Sequence, residues 1–277
     1  MRKDLFSALC SFIALFCGFS SIAQSHAVEF IANQQDTSTS ELVYVSFTQS
    51  IYHTNSTLGS MPGFETLDEE TKAELKSKYC LVLDYVSDSI LLSTFKRAFI
   101  SELQSYGFRV RECNSENFPT ELKSNEHTIN VAQLELEEFV TYDTLRSQGS
   151  QNPILFTKLL NGVRWNTWLR YNDSDSESKQ IFFASEETTD EIFGYIERER
   201  GKYYADYDLV KINPNDAYLL SYSAANLCGR YFFNFLINRY VWIKTQGNPQ
   251  KYYYIDEEKN LSIDNEAVDN FDIVEED

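Results

Sequence analysis

The alternation of apolar and polar positions divides the chain into strands and two amphipathic helices. The longest run that reads as one helix is 214–242, with Asn213 to cap it, Pro214 suited to the first turn and Asp216 placed against the positive end of the helix dipole. At 100° per residue, Ala217, Leu220, Ala224, Leu227, Cys228, Tyr231, Phe235 and Trp242 share a face that wants a sheet to lie on. Phe232, Phe233, Leu236, Ile237 and Tyr240 make the second half apolar on other sides too. A helix apolar nearly all round must be covered twice, and the pattern leaves its second cover unidentified.

Before that helix, residues 42–51 alternate as an amphipathic strand, and 67–78 read as a short polar helix. Residues 81–86, LVLDYV, form a nearly continuous apolar run of the kind found in interior strands. Leu92, Phe95, Phe99, Leu103 and Tyr106 then make a helical stripe that Gly107 ends, and 108–113 read as the following strand. Strand, helix and strand in this order predict a βαβ start with 81–86 parallel to 108–113.

Residues 128–140 form a long strand with Glu135, Glu137 and Glu138 on its wet side. In 162–172, Val163, Trp165, Thr167, Leu169 and Tyr171 oppose Arg164, Asn166, Trp168 and Arg170, and 180–186 is the return strand. Residues 188–212 are ambiguous: Ile192, Phe193 and Ile196 suit a short helix, and Tyr203, Tyr204 and Tyr207 suit an edge segment. Residues 251–255, KYYYI, offer a last strand. The expected fold class is α+β, one twisted mixed sheet with a βαβ start, a long hairpin meander and two helices packed on one face.

The N-terminus changes the picture of where the chain works. Arg2 and Lys3, the apolar run 5–19 and the small residues ending at Ala23 form a signal-peptide pattern over 1–23, with Ala27 as a second cleavage position. Lipid attachment at Cys17 is the alternative, although Phe16 stands where a lipobox wants a small residue. The expected domain is 28–255, with its core in 79–244 and an N-terminal extension in 28–78. The net charge of −18 argues against nucleic acid and against electrostatic binding to anionic lipid heads. Residues 256–277 read as a disordered acidic tail.

Candidate chemistry is thin. Export would leave Cys80, Cys113 and Cys228, an odd count that implies no disulfide framework. His53 and His127 sit among loop-forming residues with no nucleophile elbow, Gly-rich phosphate loop or zinc-type spacing nearby. Asp173, Asp175 and Glu177 mimic half a calcium loop, but Ser178 replaces its turn glycine, and a solvated turn is the simpler reading. The chain is therefore expected to be no enzyme and to need no metal or cofactor. Trp168, flanked on its outward face by Arg164 and Arg170, is either a partner-binding anchor or a cross-strand packing residue.

The succession LVLDYV, LLSTFKRAFISELQSYG, FRV, INVAQLELEEF, WNTWLRYND, KQIFFASEE and DAYLLSYSAANLCGRYFFNFLINRYV resembles, over about 79–244, the auxiliary lipoprotein component of ABC-type lipid transporters of the Gram-negative envelope. Curli-type secretion lipoproteins have similar βαββα domains. The resemblance implies a non-catalytic exported protein, periplasmic or outer-membrane and periplasm-facing, with its anchor on Cys17. Its partner would be a lipid or an envelope protein, and it would assist a lipid-transport complex. The expected binding residues are Trp168 and the groove beside Phe232, Phe233, Leu236, Ile237 and Tyr240. A structural or secretion-apparatus subunit that binds a protein is the alternative.

Overall fold

The computed structural model describes residues 22–147, 153–174, 180–247, 251–256, 258–264 and, for the backbone, 272–274. The fold is α+β. A mixed sheet runs in the order β11 (Asp272–Val274), β6 (Gln180–Thr189), β5 (Leu155–Asp173), β4 (Glu126–Arg146), β1 (Leu42–Phe47) and β3 (Arg109–Glu112). β2 (Tyr52–Asn55) continues beside β4 beyond the end of β1. β1 is parallel to β3 and β4, and β2 to β4, whereas β4, β5, β6 and β11 form an antiparallel meander.

Two long helices lie on one face: α4 (Asp88–Ser105), burying Leu91, Phe95, Ala98, Phe99 and Leu103, and α5 (Pro214–Lys244). They approach closely at Gly229, where a Cβ would come within 2.9 Å of the Glu102 side chain. α5 begins as its sequence predicts. Asn213 Oδ1 accepts from the Asn215 N–H at 3.0 Å, and Asp216 accepts from the Asn213 N–H at 2.7 Å. The shorter helices are 22–34, here α1, the single turn α2 (Ser56–Gly59) and the polar α3 (Glu69–Tyr79).

Four expectations need correction. Residues 81–86 are not a strand: Leu83–Tyr85 form a 3₁₀ turn, and β1 is the parallel neighbour of β3. The apolar run is instead a plug held by a buried acid, since Glu138 Oε1 accepts the N–H groups of Leu81 (2.6 Å) and Val82 (2.9 Å). Residues 28–78 are not an extension, because β1 lies between β3 and β4 in the sheet interior. The ambiguous stretch 188–212 holds a hairpin of β7 (Glu191–Glu199) and β8 (Lys202–Val210), turned at Arg200 and Gly201, both at positive φ. The tail is not wholly disordered: β10 (Leu261–Asp264) pairs with β9 (Tyr252–Ile255), and β11 pairs with β6.

Glu138 carries a pH signature. Burial holds its carboxyl above the usual carboxylate range, despite the backbone N–H groups that favour its charge. The folded chain therefore binds more protons than the unfolded chain over the window from pH 4.5 upward, and stability falls as pH rises through it. Glu138→Gln keeps the accepting oxygen and removes the buried charge. The variant is expected to match or exceed the parent at pH 7 and to flatten the decline, which urea titrations at about pH 4.5 and pH 7 would check. A variant that keeps the parent's decline would assign the pH dependence to another group.

Candidate functional site

The groove expected along α5 is filled by the protein itself. Phe232, Phe233, Leu236 and Ile237 are buried, and Tyr240 is partly buried against them. Phe30 of α1 packs on the rings of Phe233 and Tyr240 at 5.8 and 5.4 Å, and Tyr106 stacks on Phe233 at 4.4 Å. β9 covers another side. Asn238 Oδ1 accepts the Tyr253 N–H (2.9 Å), its Nδ2 donates to the Tyr253 carbonyl (2.7 Å), and Asn234 Oδ1 accepts the Ile255 N–H (2.9 Å). These two asparagines, one helical turn apart, act as a strand partner for β9. They escape a reading by apolar period because their signal is polar. Trp242, placed on the sheet face by the helical wheel, is exposed.

His53 and His127 lie on strands rather than in loops. His53 Nε2 pairs with Asp88 at 3.0 Å. His127 belongs to a buried chain of polar groups at one end of the sheet. Its Nε2 meets Glu41 at 3.2 Å and its Nδ1 meets the Tyr171 hydroxyl at 3.0 Å; that hydroxyl donates to Asp173 Oδ2 at 2.7 Å, and Arg239 pairs with the same oxygen at 2.6 Å. Burial, then the Asp173 bond, holds the Tyr171 phenol well above its ordinary range. The arrangement is enclosed and reads as structural. Asp173 is thus committed to Tyr171 and Arg239, and Asp175 and Glu177 lie outside the described residues, as does Cys17. Among the described residues no group of three His, Cys, Asp or Glu side chains is placed to hold a metal ion. The Cys228 thiol, in the core, is pushed up to about 12 by burial and is unsuited to nucleophilic chemistry.

Trp168 does face outward. Its ring lies 5.0 Å from Phe183 on the sheet face away from the helices, in the wall of a cleft of about 440 Å³.

Exposed apolar side chains also gather on an arm that no single sequence signal announces. β4 and β5 stay paired out to Arg146 and Leu155, and β7 and β8 pack against their outer portion, with the rings of Phe156 and Tyr207 5.2 Å apart. Asp190 anchors the base of the arm. Its carboxylate accepts the N–H groups of Asn161 (2.9 Å) and Ile212 (2.8 Å) and the Asn161 side-chain amide (2.9 Å), tying β5, the β6–β7 junction and the entry to α5 together.

On the outer face of the β7–β8 hairpin every cross-strand pair from the base to Tyr204 joins an acid to an apolar residue: Glu191 with Val210, Phe193 with Asp208, Tyr195 with Asp206, and Glu197 with Tyr204. Phe193 and Tyr204 are 57% and 52% exposed, and Tyr195 and Val210 are exposed beside them. The charges of Glu197 and Asp206 push the Tyr195 phenol above its usual range. This face presents rings and carboxylates in alternation, which suits recognition. No helix among the described residues is long and apolar enough to cross a membrane. No protein-family model matches the chain, and no curated protein is significantly similar to it.

Proposed function

We propose that this chain is a non-catalytic docking subunit of the cell envelope, which engages a partner protein of an envelope transport or secretion complex through its arm. The observation that carries the reading is the alternation of exposed rings and carboxylates on the β7–β8 face. Charge complementarity defines the partner: a protein surface with Lys or Arg set between apolar side chains at strand spacing. A second copy is disfavoured, because like carboxylates would meet and the chain carries a net charge of −18. The envelope setting rests on the basic and apolar N-terminal run and on the resemblance of the element order to envelope lipoproteins. Processing after Ala23 or at Cys17 would leave Ala27 and Phe30, both buried against the core, in place, whereas processing after Ala27 would leave only Phe30. A lipid-carrying role requires an open groove beside Phe232, Phe233, Leu236 and Ile237; those residues are buried, so lipid is not part of the proposal.

A photo-crosslinking amino acid in place of Tyr195, compared with one at Leu219 on the exposed side of α5, tests this in the native cell. A single discrete protein adduct is expected from position 195 and none from 219. Asp206→Lys with Asp208→Lys is expected to reduce the adduct about tenfold or more without lowering the melting temperature. Equal labelling from both positions, or none from 195, would remove the arm as the docking surface.

A further inference from the structure

The cleft beside Trp168 lies on the face of the sheet opposite the helices. It opens where β1 and β3 end, at the level of the bulge in β4 between Val131 and Gln133. Carboxyl ends of parallel strands are where open sheets with flanking helices leave room for ligands. Its volume, about 440 Å³, falls in the range of small-molecule sites. Among the described residues no acidic side chain lines it, although the chain holds 42 Asp and Glu.

The lining instead combines Trp168 with the carboxamides of Gln49, Asn130 and Gln133, the hydroxyl residues Thr48 and Ser115 and the guanidinium of Arg170, beside a smaller apolar share that includes Phe47 and Ile181. Phe183 backs the indole at 5.0 Å. Ser46 Oγ donates to Asn130 Oδ1 at 2.9 Å, which fixes that amide and turns its NH₂ into the donor left for a ligand.

From this lining we infer that the cleft is a saccharide site for a neutral sugar of about two rings. The flat C–H face of a pyranose packs on an indole, and adjacent hydroxyls both donate and accept, as carboxamides do. A cation would want acidic lining, a multiply charged phosphate more than one guanidinium, and an acyl chain an apolar wall without amides. The site stands apart from the arm and does not depend on its docking role.

Titration of the full chain with cellobiose and with N,N′-diacetylchitobiose tests this, followed through the indole N–H resonances. The protein has three tryptophans, and Trp165 is buried whereas Trp242 lies on an exposed helix end. At least one sugar is expected to shift the Trp168 signal alone, saturably, with a Kd of about 1 mM or tighter. Trp168→Ala and Gln133→Ala are each expected to weaken that binding about tenfold or more. Trp168→Phe, which keeps a ring, preserves the test if the alanine variant does not fold. No shift at Trp168 with either sugar up to about 20 mM, binding indifferent to both Trp168→Ala and Gln133→Ala, or saturation by adenosine in place of the sugars would each overturn the assignment.

Discussion

Ile237→Ser is expected to lower the unfolding free energy by about 3–5 kcal/mol, and Leu227→Ala by about 1–2 kcal/mol. The helical wheel alone argues the reverse, with Leu227 on the sheet face and Ile237 on a second face open to a ligand. In the structure Ile237 has no exposed surface, while Leu227 is only partly buried at the edge of the core. Serine at 237 removes a fully packed side chain and leaves a hydroxyl in an apolar site, so cavity and desolvation costs act together. Leu227 borders a small surface pocket beside Glu102 and Arg230, where water can enter and part of the loss is recovered. For a chain of this size 1 kcal/mol moves the melting midpoint by about 2–4 °C, so the two variants should differ by several degrees. Urea and thermal unfolding of the pair decide it. An Ile237→Ser protein as stable as its parent would mean that α1 and β9 do not cover α5 in solution, and the groove would return.

What the chain revealed in advance follows the strength of the local signal. The inward set of β5, from Val163 to Tyr171, is read correctly because a strand with one buried face alternates strictly, and the outward placement of Trp168 follows from it. The start of α5 is legible because Asn213, Pro214 and Asp216 act within one turn. Residues 81–86 fail as a strand because their partner is a side chain, Glu138, fifty-seven positions away from Leu81; an apolar run alone does not say whether its amide groups meet a ladder or a carboxylate. The β7–β8 hairpin is obscured because Ile192, Phe193 and Ile196 fit a helical stripe, although Gly201, at positive φ after Arg200, marks a two-residue turn before the tyrosine-rich run of β8. The arm could not be read as a site at all, since its alternation of acids and rings emerges only when the two strands are set in register.

The second large effect concerns the buried polar chain. Arg239→Ala is expected to cost about 3–5 kcal/mol, because it leaves the Asp173 carboxylate, with 4% of its side chain exposed, without its cation. The rest of the chain fixes how that carboxylate is used. Tyr171 has one proton and gives it to Asp173 at 2.7 Å, so His127 Nδ1, 3.0 Å from the phenol oxygen, is the donor in that contact. The Tyr171 proton thus sets the direction of the His127 contact, and removal of the cation disturbs β4, β5 and α5 together. A double-mutant cycle separates the pair from the packing of the long Arg239 stem. Asp173→Leu with Arg239→Leu is expected to be less destabilising than the sum of the single changes by about 1.5 kcal/mol or more, since the double variant buries no unpaired charge. Additive losses, with no coupling beyond about 0.5 kcal/mol, would show that Asp173 and Arg239 do not act as a pair in the folded protein and that the order of this end of the sheet comes from the surrounding rings of Phe232 and Phe235, which meet Tyr171 at 5.6 and 5.2 Å.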